Sequence, residues 1–334
     1  MKIGVLGAGS WGTTLAIVLH SNSHDVSLWS YSEEDVELMR STRQNANYLP
    51  NITLPDDLKI EDRISNAVEN TDALVIAAPA QFVRNVIKQI PFELIDGRIL
   101  INVAKGIEAK TLMRMSEVVT DVFPDFRQRY YAVLSGPSHA EEVSEKKPTT
   151  VVAASIDQRT SETVMEAFGT PYFRVYGSRD VTGVELGGSL KNIIAIGAGI
   201  CDGGGYGDNT KAALITRGIA EIRRLGVELQ ANPLTFSGLS GLGDLIVTTM
   251  SRHSRNRFVG EEIGKGKKLP EVLSAMKMVA EGVETTRSAY ELSRMHGVDM
   301  PIVSQVYKIL FEEKDPKEAT YELMTREAKE EIWS

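Results

Sequence analysis

One lysine in the middle of an otherwise apolar stretch is the residue of this chain best suited to transfer a proton. Nearly every residue from Val184 to Ile200 is apolar or small, which predicts a helix buried on all sides, and Lys191 lies within it. Burial disfavours the ammonium form and can lower a lysine pKa from about 10.4 to roughly 7 to 8, the range useful for a general base. We therefore predict that Lys191 is a general acid and base. The alternative is a lysine whose stem is buried while its ammonium group reaches solvent or a carboxylate.

A carboxylate followed closely by several cations makes a second candidate site. Asp244 lies in a small, neutral stretch from Phe236 to Thr249. Behind it come three arginines and two neutral hydrogen-bond donors, namely Arg252, Ser254, Arg255, Asn256 and Arg257. Arginine forks match the oxygens of phosphate or carboxylate groups, so residues 251–257, the arginine segment, are predicted to bind an anion. The alternative is a solvated basic helix start, with Asp244 capping the preceding helix.

Polar residues also follow two apolar runs that are predicted to be strands. Lys105 comes soon after the run 99–103, and Gly136, Ser138 and His139 come after the next run. Ligands of doubly wound sheets bind at such carboxyl ends, although a lysine there is usually loop surface and Gly-Pro is usually a turn. We interpret His139 as a loop or cap histidine rather than a ligand. The chain has one cysteine, so its five histidines have no set of cysteine partners, and we predict no metal site.

The elements that would position these residues begin with a glycine fingerprint at the start of the chain. Gly7, Gly9 and Gly12 have the spacing Gly-x-Gly-x-x-Gly, between an apolar run and a helix-compatible run. The missing side chains permit a tight turn, the approach of a pyrophosphate and close packing of helix on strand. The helix N-terminus then faces the anion. This context predicts a bound dinucleotide without identifying the reaction that it serves.

Short apolar runs alternate with helical segments from the fingerprint to about residue 180. The predicted strands are residues 3–6, 26–29, 73–77, 99–103, 131–134, 150–153 and 172–176. Several are apolar throughout, as strands buried on both faces of a parallel sheet are. The pattern indicates repeated βαβ units and a Rossmann-type doubly wound sheet.

Helices follow one another after residue 180, where the strand pattern nearly disappears. The predicted helices are residues 182–200, 209–225, 257–264, 270–276, 285–296, 301–312 and 316–332. The predicted fold class is therefore α/β, with a Rossmann dinucleotide-binding domain at residues 1–180 and an all-α, substrate-binding and catalytic domain at residues 181–334. A ligand at the switch point of the sheet would have the helical domain as its second wall.

Length, charge and cysteine content restrict the class of protein further. A chain of 334 residues, 42% hydrophobic and 25% charged, fits a soluble protein of two domains. Its net charge of -8 argues against a binder of nucleic acids or of anionic membranes. The one cysteine, Cys201, fits a reducing compartment, and we find neither a signal segment nor an apolar run long enough for membrane insertion. We expect a cytoplasmic protein.

Taken together, the motifs resemble those of the NAD(P)-dependent glycerol-3-phosphate dehydrogenases in order and approximate spacing. The resemblance covers nearly the whole chain and rests on Gly-Ala-Gly-Ser-Trp-Gly (7–12), Asn-Val-Ala-Lys-Gly-Ile-Glu (102–108), Leu-Ser-Gly-Pro-Ser (134–138), Glu-Leu-Gly-Gly-Ser-Leu-Lys-Asn (185–192), Gly-Leu-Gly-Asp-Leu (241–245) and Ser-Arg-Asn-Arg (254–257). It implies a cytosolic enzyme that interconverts sn-glycerol 3-phosphate and dihydroxyacetone phosphate with NADP or NAD. It also implies a homodimer and a supply of glycerol 3-phosphate for glycerophospholipid synthesis.

The resemblance also implies roles for individual residues. Lys191 would accept the proton of the alcohol and return it to the ketone, and Asp244 would orient Lys191 or the substrate. The implied substrate-binding residues are Lys105, Gly136, Ser138, Lys191, Asp244, Ser254, Arg255 and Asn256, the last three at the phosphoryl end. The implied cofactor-binding residues are Ser10, Trp11, Tyr31, Lys105, Ala140, Arg255, Val279 and Glu281, in addition to Gly7, Gly9 and Gly12 of the fingerprint.

The chain departs from the usual pattern where the choice of cofactor is made. About twenty residues after the fingerprint, where an NAD-preferring site usually has Asp or Glu, the sequence reads Trp29-Ser30-Tyr31-Ser32. Neither an acid nor an arginine is present, so NAD and NADP both stay open. Two rival functions also stay open. One is a β-hydroxyacid or sugar-acid dehydrogenase, whose substrate carries a carboxylate in place of phosphate, and the other is a non-catalytic dinucleotide sensor, which leaves Lys191 unexplained.

Overall fold

The chain forms a sheet with its covering helices, followed by a helical region. The computed structural model describes residues 1–276, 278–328 and 330–331. Within that part of the chain the strands are β1 (Lys2–Leu6), β2 (Asp25–Trp29), β3 (Gln44–Asn45), β4 (Leu49–Thr53), β5 (Lys59–Glu61), β6 (Ala73–Ile76), β7 (Ile99–Asn102), β8 (Tyr131–Ser135), β9 (Thr149–Ala154) and β10 (Phe173–Ser178). Eight of them form one sheet in the order β10-β9-β8-β7-β6-β1-β2-β5, and β3 pairs with β4 separately.

The doubly wound α/β fold is confirmed, with one difference in strand direction. In that order, the strands from β8 to β5 are parallel to one another. Strand β9 runs antiparallel to β8, and β10 runs parallel to β9. Apolar runs do not encode direction, so the sequence pattern could not show this. As a result, the segment between β8 and β9 begins and ends at the same edge of the sheet, beside the candidate site.

Helices cover both faces of the sheet, as the βαβ pattern predicts. They are α1 (Ser10–Ser21), α2 (Glu33–Thr42), α3 (Ile64–Val68), α4 (Ala80–Ile87), α5 (Met115–Val122), α6 (Ala140–Ser144) and α7 (Gln158–Phe168). Side chains of α1, α2 and α7 share one apolar core with Val5 of β1, and those of α3, α4 and α5 share a second core with the neighbouring Leu6. Successive residues of one strand therefore serve opposite faces.

The region after the sheet is built around one buried helix. Its helices are α8 (Val181–Gly203), α9 (Asp208–Glu228), α10 (Asp244–Met250), α11 (Arg255–Gly264), α12 (Leu269–Ser274), α13 (Glu281–Met295), α14 (Pro301–Phe311) and α15 (Pro316–Met324). Every residue of α8 from Gly183 to Cys201 is buried, and α9, α10, α11, α13 and α14 pack around it. The prediction of a helix buried on all sides is confirmed. Among the described residues α8 is also a helix long and apolar enough to cross a membrane, but its apolar window is 100% buried in the core.

Several predicted boundaries differ from the structure. The pattern did not predict β3, β4, β5 or α10, because these elements are short and the strands contain few apolar residues. Helices α11 and α13 begin earlier than predicted, and α15 ends at Met324, well before the predicted end. Residues 329 and 332 of that prediction lie outside the described residues, as do residues 277, 329 and 332–334 of the predicted second domain. The division at residue 180 stays a proposal; β10 ends at Ser178, and Asp180 caps α8 by accepting a hydrogen bond from Gly183 N at 2.9 Å.

Candidate active site

Three predicted site residues from distant parts of the chain meet beyond the carboxyl end of β7. Lys191 in α8 and Lys105 in the loop after β7 both donate hydrogen bonds to the carboxylate of Asp244, the first residue of α10. The distance from Lys105 Nζ to Asp244 Oδ2 is 2.8 Å. Thr248, one turn along α10, accepts a further hydrogen bond from Lys191 Nζ at 2.7 Å. Lys105, Lys191 and Asp244 are termed the lysine–carboxylate cluster below.

The cluster is shielded from bulk water. Lys191 is 5% exposed and Asp244 is 1% exposed. Of the two alternatives for the ammonium group of Lys191, contact with solvent is not observed and contact with a carboxylate is; that carboxylate, Asp244, is itself buried. The alternative in which Asp244 only caps a preceding helix is wrong, because its two oxygens accept from two ammonium groups.

Burial and neighbouring charges set the protonation of the cluster. Burial lowers the pKa of Lys191 to about 7; the Asp244 carboxylate opposes this shift, and the Lys105 ammonium adds to it. Burial by itself would raise the pKa of Asp244, but the two ammonium groups outweigh it and hold that pKa below its usual range. Near neutral pH Asp244 is thus ionised, while Lys191 can gain or lose a proton.

A close approach between α8 and the preceding turn brings Asp244 over Lys191. Residues Leu239–Gly243 form a π-helical turn that leads directly into α10. A Cβ atom on Gly187 would lie only 2.6 Å from the carbonyl oxygen of Ser240, so the turn fits against α8 only because Gly187 has no side chain. A small residue of the buried helix α8 is thus what permits this packing.

The loop after β8 lies against the same cluster. Lys105 Nζ donates a second hydrogen bond to the carbonyl oxygen of Gly136 at 3.0 Å, and the Ser138 hydroxyl donates to the same oxygen at 2.9 Å. Lys105 is therefore held between the sheet loop and α10, with a side chain that is 16% exposed. The structure brings these predicted substrate-binding residues together with Lys191 and Asp244.

A chain of amide hydrogen bonds ties the surrounding elements to the cluster. Asn192 donates to the carbonyl oxygen of Lys105 at 3.3 Å, and Asn256 donates to Asn192 Oδ1 at 2.9 Å. Asn256 Oδ1 in turn accepts from the backbone N–H of Gly282 at 2.9 Å. Both ends of the Asn256 amide thus bond within the protein, where the resemblance implies a contact with the phosphoryl group.

Arg255 and Arg257 of the arginine segment have different partners. Arg257 pairs with Asp202, 2.6 Å away, and with Glu261, so its charge is used to join α8 to α11. Ser254 caps α11 and accepts from the backbone N–H of Arg257 at 3.2 Å. Arg255 is exposed and donates to the carbonyl oxygen of Val279 at 2.9 Å. Arg257 is thus engaged in ion pairs within the protein, and Arg255 is the arginine of this segment that we retain for the anion site.

The glycine fingerprint has the geometry of an anion cradle. Gly7 has a φ of 123°, which side chains disfavour, and a Cβ atom on Gly12 would overlap the carbonyl oxygen of Gly7. Apart from Gly9 and its two neighbours in the chain, no atom of the described residues lies within 4 Å of the place where a Cβ atom of Gly9 would be. Helix α1 begins at the next residue without a side-chain cap, so its N-terminus opens onto that space. The cradle fits the pyrophosphate of a dinucleotide.

The remaining predicted cofactor residues lie at the starts of helices or in loops. Trp11 Nε1 is buried and has no hydrogen-bond partner among the described residues, and the Ala140 carbonyl accepts from Thr14 in α1 at 3.3 Å. Glu281 accepts from the backbone N–H of Ala80 at 2.7 Å, which joins α13 to the start of α4. Tyr31, 89% exposed, follows β2, where the ribose of a dinucleotide would lie.

Two polar residues of the site were absent from the predicted set. Thr248 contacts Lys191, and its position four residues after Asp244 in a helix was the signal that could have revealed it. Asn192 adjoins Lys191 in the sequence, but its contact with the Lys105 loop depends on the tertiary fold. Within the described ranges, no group of three or more His, Cys, Asp or Glu side chains could hold a metal ion.

Comparisons with known proteins agree along the whole chain. The family model "NAD-dependent glycerol-3-phosphate dehydrogenase N-terminus" matches residues 2–161, and the corresponding C-terminus model matches residues 180–321. A protein from Chlorobium phaeobacteroides (strain BS1) named glycerol-3-phosphate dehydrogenase [NAD(P)+] is 54% identical over 332 residues, which cover 99% of both chains. The crystal structure of glycerol-3-phosphate dehydrogenase from Coxiella burnetii is 39% identical with a TM-score of 0.93, covering 97% of this chain and 99% of the other. The yeast structure is 28% identical with a TM-score of 0.82, covering 96% and 98%.

Proposed function

Because the chain belongs to the NAD-dependent glycerol-3-phosphate dehydrogenase family, we propose that it interconverts sn-glycerol 3-phosphate and dihydroxyacetone phosphate. It is an oxidoreductase that uses NAD or NADP. The observation that carries the proposal beyond the family is the buried lysine–carboxylate cluster, in which the pKa of Lys191 is lowered to about 7. A group whose pKa lies near neutral pH suits proton transfer in both directions.

We propose that Lys191 moves the proton of the reaction. A bound nicotinamide would supply the hydride acceptor for C2 of glycerol 3-phosphate and the hydride donor for C2 of dihydroxyacetone phosphate. In the oxidation, neutral Lys191 removes the proton of the C2 hydroxyl and becomes an ammonium group. In the reduction, the ammonium form gives that proton to the C2 oxygen. Asp244 keeps Lys191 Nζ in place through a direct hydrogen bond, and Thr248 supports it.

Lys105 supplies a second positive charge to the same oxygen. Its ammonium group is fixed by Asp244 and by the Gly136 carbonyl, so it needs no reorganisation when negative charge develops on the C2 oxygen. Because the site is shielded from water, such a charge acts more strongly there than in solution. The proposal thus gives the two lysines different tasks, proton transfer for Lys191 and charge stabilisation for Lys105.

The phosphoryl group of the substrate is assigned to Arg255 and Ser254. Arg255 lies at the start of α11, and its guanidinium can offer two parallel donors to phosphate oxygens. Binding energy from this remote group positions C2 against the nicotinamide.

The other implied contacts, including Asn256 and the cofactor residues at 7–12, 31, 140, 279 and 281, belong to the same proposal. So do the cytoplasmic location, the homodimer and the supply of glycerol 3-phosphate for glycerophospholipid synthesis.

Replacing Arg255 with alanine is expected to raise KM for dihydroxyacetone phosphate by about tenfold to a hundredfold, the range for a lost hydrogen bond to a charged group. Arg255→Lys, which keeps the charge but loses the fork, should fall between this variant and the wild type. Arg159→Ala, at an exposed position of α7, serves as the control. Initial rates at saturating NADH or NADPH measure the effect. An unchanged KM in Arg255→Ala would place the phosphoryl group elsewhere.

The assay that tests the proposed function compares substrates rather than variants. Oxidation of NADH and of NADPH is followed with dihydroxyacetone phosphate and, separately, with non-phosphorylated keto acids. We expect turnover with the phosphorylated ketone and little with the keto acids. Preference for a keto acid would favour the related hydroxyacid dehydrogenases, and tight cofactor binding with no turnover on any small ketone would favour a dinucleotide sensor.

A further inference from the structure

One histidine beside the lysine–carboxylate cluster has a buried nitrogen that the mechanism does not use. His139 lies directly before α6, in the segment that follows β8, and its side chain does not cap that helix. Its Nε2 atom is buried and has no hydrogen-bond partner among the described residues. Buried polar atoms are nearly always paired, so an unpaired one needs an explanation, such as a ligand that completes it.

The neighbours of the imidazole place it between the cluster and the arginine segment. Its ring lies against the ring of His253, with centroids 5.9 Å apart and planes at 52°. His253 directly precedes Ser254 and Arg255, the residues assigned to the phosphoryl group. The backbone carbonyl of Val247, in the helix that carries Asp244 and Thr248, acts on the His139 ring as a hydrogen-bond acceptor and raises its pKa.

Charges around His139 suit an anionic ligand. Burial lowers its pKa, and the ammonium groups of Lys191 and Lys105 lower it further, while Glu141 on α6 and the Val247 carbonyl oppose the shift. The imidazole is therefore predominantly neutral at neutral pH while two ammonium groups face it. A phosphate dianion would offset the positive charge of these lysines, and imidazole can offer Nε2 as a donor to phosphate oxygens.

We propose that His139 Nε2 is a direct ligand of the substrate phosphoryl group, alongside Arg255. The inference rests on the proposed function. In a three-carbon substrate only C3 and its ester oxygen separate C2 from the phosphorus atom, so one pocket must reach both the C2 oxygen and the phosphate. His139 lies between the lysine–carboxylate cluster and the arginine segment, and it adds an imidazole donor to the proposed phosphate site.

The test compares two variants whose amide nitrogens replace different ring nitrogens of the imidazole. In His139→Asn the amide nitrogen lies near the Nδ1 position, whereas the longer side chain of His139→Gln can reach the Nε2 position. His139→Asn is expected to raise KM for dihydroxyacetone phosphate about tenfold with kcat changed less than about twofold, and His139→Gln should recover most of the affinity. His296→Asn, at the far end of α13, is the matched control and should leave KM unchanged.

Two substrate analogues identify the atom that His139 contacts. With dihydroxyacetone, which lacks the phosphate, the loss in kcat/KM for His139→Asn should disappear; with hydroxyacetone phosphate, which lacks the C1 hydroxyl, it should persist. The opposite pattern, or an unchanged KM for dihydroxyacetone phosphate, would overturn the proposal. If the wild-type enzyme does not reduce dihydroxyacetone phosphate at all, the proposed function fails instead.

A measurement on the wild-type enzyme avoids dependence on the folding of the variants. Inorganic phosphate, added to the enzyme with NAD bound, should shift the ¹⁵N resonance of His139 Nε2, assigned by its absence in His139→Gln. It should shift the resonances of His296 by much less. Equal shifts at both histidines, or none at His139, would contradict direct ligation.

Discussion

Replacement of Lys191 by methionine is expected to lower kcat for dihydroxyacetone phosphate reduction by a factor of at least about 10². The change removes the amino group but keeps a long, flexible apolar side chain in the interior of α8, where Lys191 is 5% exposed. Asp244 keeps Lys105 as its partner, so no buried carboxylate is left unpaired. Stopped-flow or steady-state rates at saturating cofactor and substrate measure the loss.

Two controls separate proton transfer from charge and from folding. Lys191→Arg keeps a positive charge but cannot release its proton near neutral pH, and it should be as impaired as the methionine variant. Titration with NADH, followed by fluorescence, should show cofactor affinity close to wild type in both variants. Turnover near the wild-type rate in either one would remove Lys191 from the mechanism.

Replacement of Asp244 by asparagine is the second change with a large expected effect, because it leaves two ammonium groups facing a neutral amide. Breaking a buried ion pair in this way costs about 3–5 kcal/mol in the free energy of unfolding. The carboxylate also raises the pKa of Lys191. Without it that pKa should fall below about 7, so the protonated form needed for reduction becomes scarcer at neutral pH. Urea denaturation and a pH profile of the reduction rate measure the two effects.

A control substitution at another aspartate shows which of these effects is specific to the site. Asp202 is a partly buried carboxylate of the same helix α8 that pairs with Arg257 and Lys211, with no part in the cluster. Asp202→Asn should lower stability while leaving the pH midpoint of the reduction unchanged. If Asp244→Asn likewise leaves the midpoint in place, Asp244 does not tune Lys191.

Features that depend on local pattern were predictable from the sequence. The burial of Lys191 follows from seventeen consecutive residues, 184–200, that are nearly all apolar or small, and the structure buries α8 on every side. The fingerprint geometry is equally local, because Gly7, Gly9 and Gly12 determine it within one turn. The apolar runs likewise located the main strands of the sheet to within about two residues.

Features that depend on tertiary packing were not predictable from the sequence. Lys105 and Asp244 are 139 residues apart, and they meet only because the turn before α10 packs against a glycine of α8. The antiparallel placement of β9 and the use of Arg257 as a partner of Asp202 are long-range features of the same kind. Residue spacing alone could not distinguish Arg257 from Arg255, because both follow Asp244 within the same short segment.

The pH dependence of the two reaction directions tests the assignment of Lys191 most directly. The reduction needs the ammonium form, so its kcat/KM should be high below the pKa of Lys191, which is lowered to about 7, and should fall as the pH rises through it. The oxidation needs the free amine, so its kcat/KM should show the opposite dependence with a midpoint near the same pH. Both dependences should be absent in Lys191→Met. A reduction rate that stays constant from pH 6 to 9 in the wild type, or one that falls equally in Lys191→Met, would contradict proton transfer by Lys191.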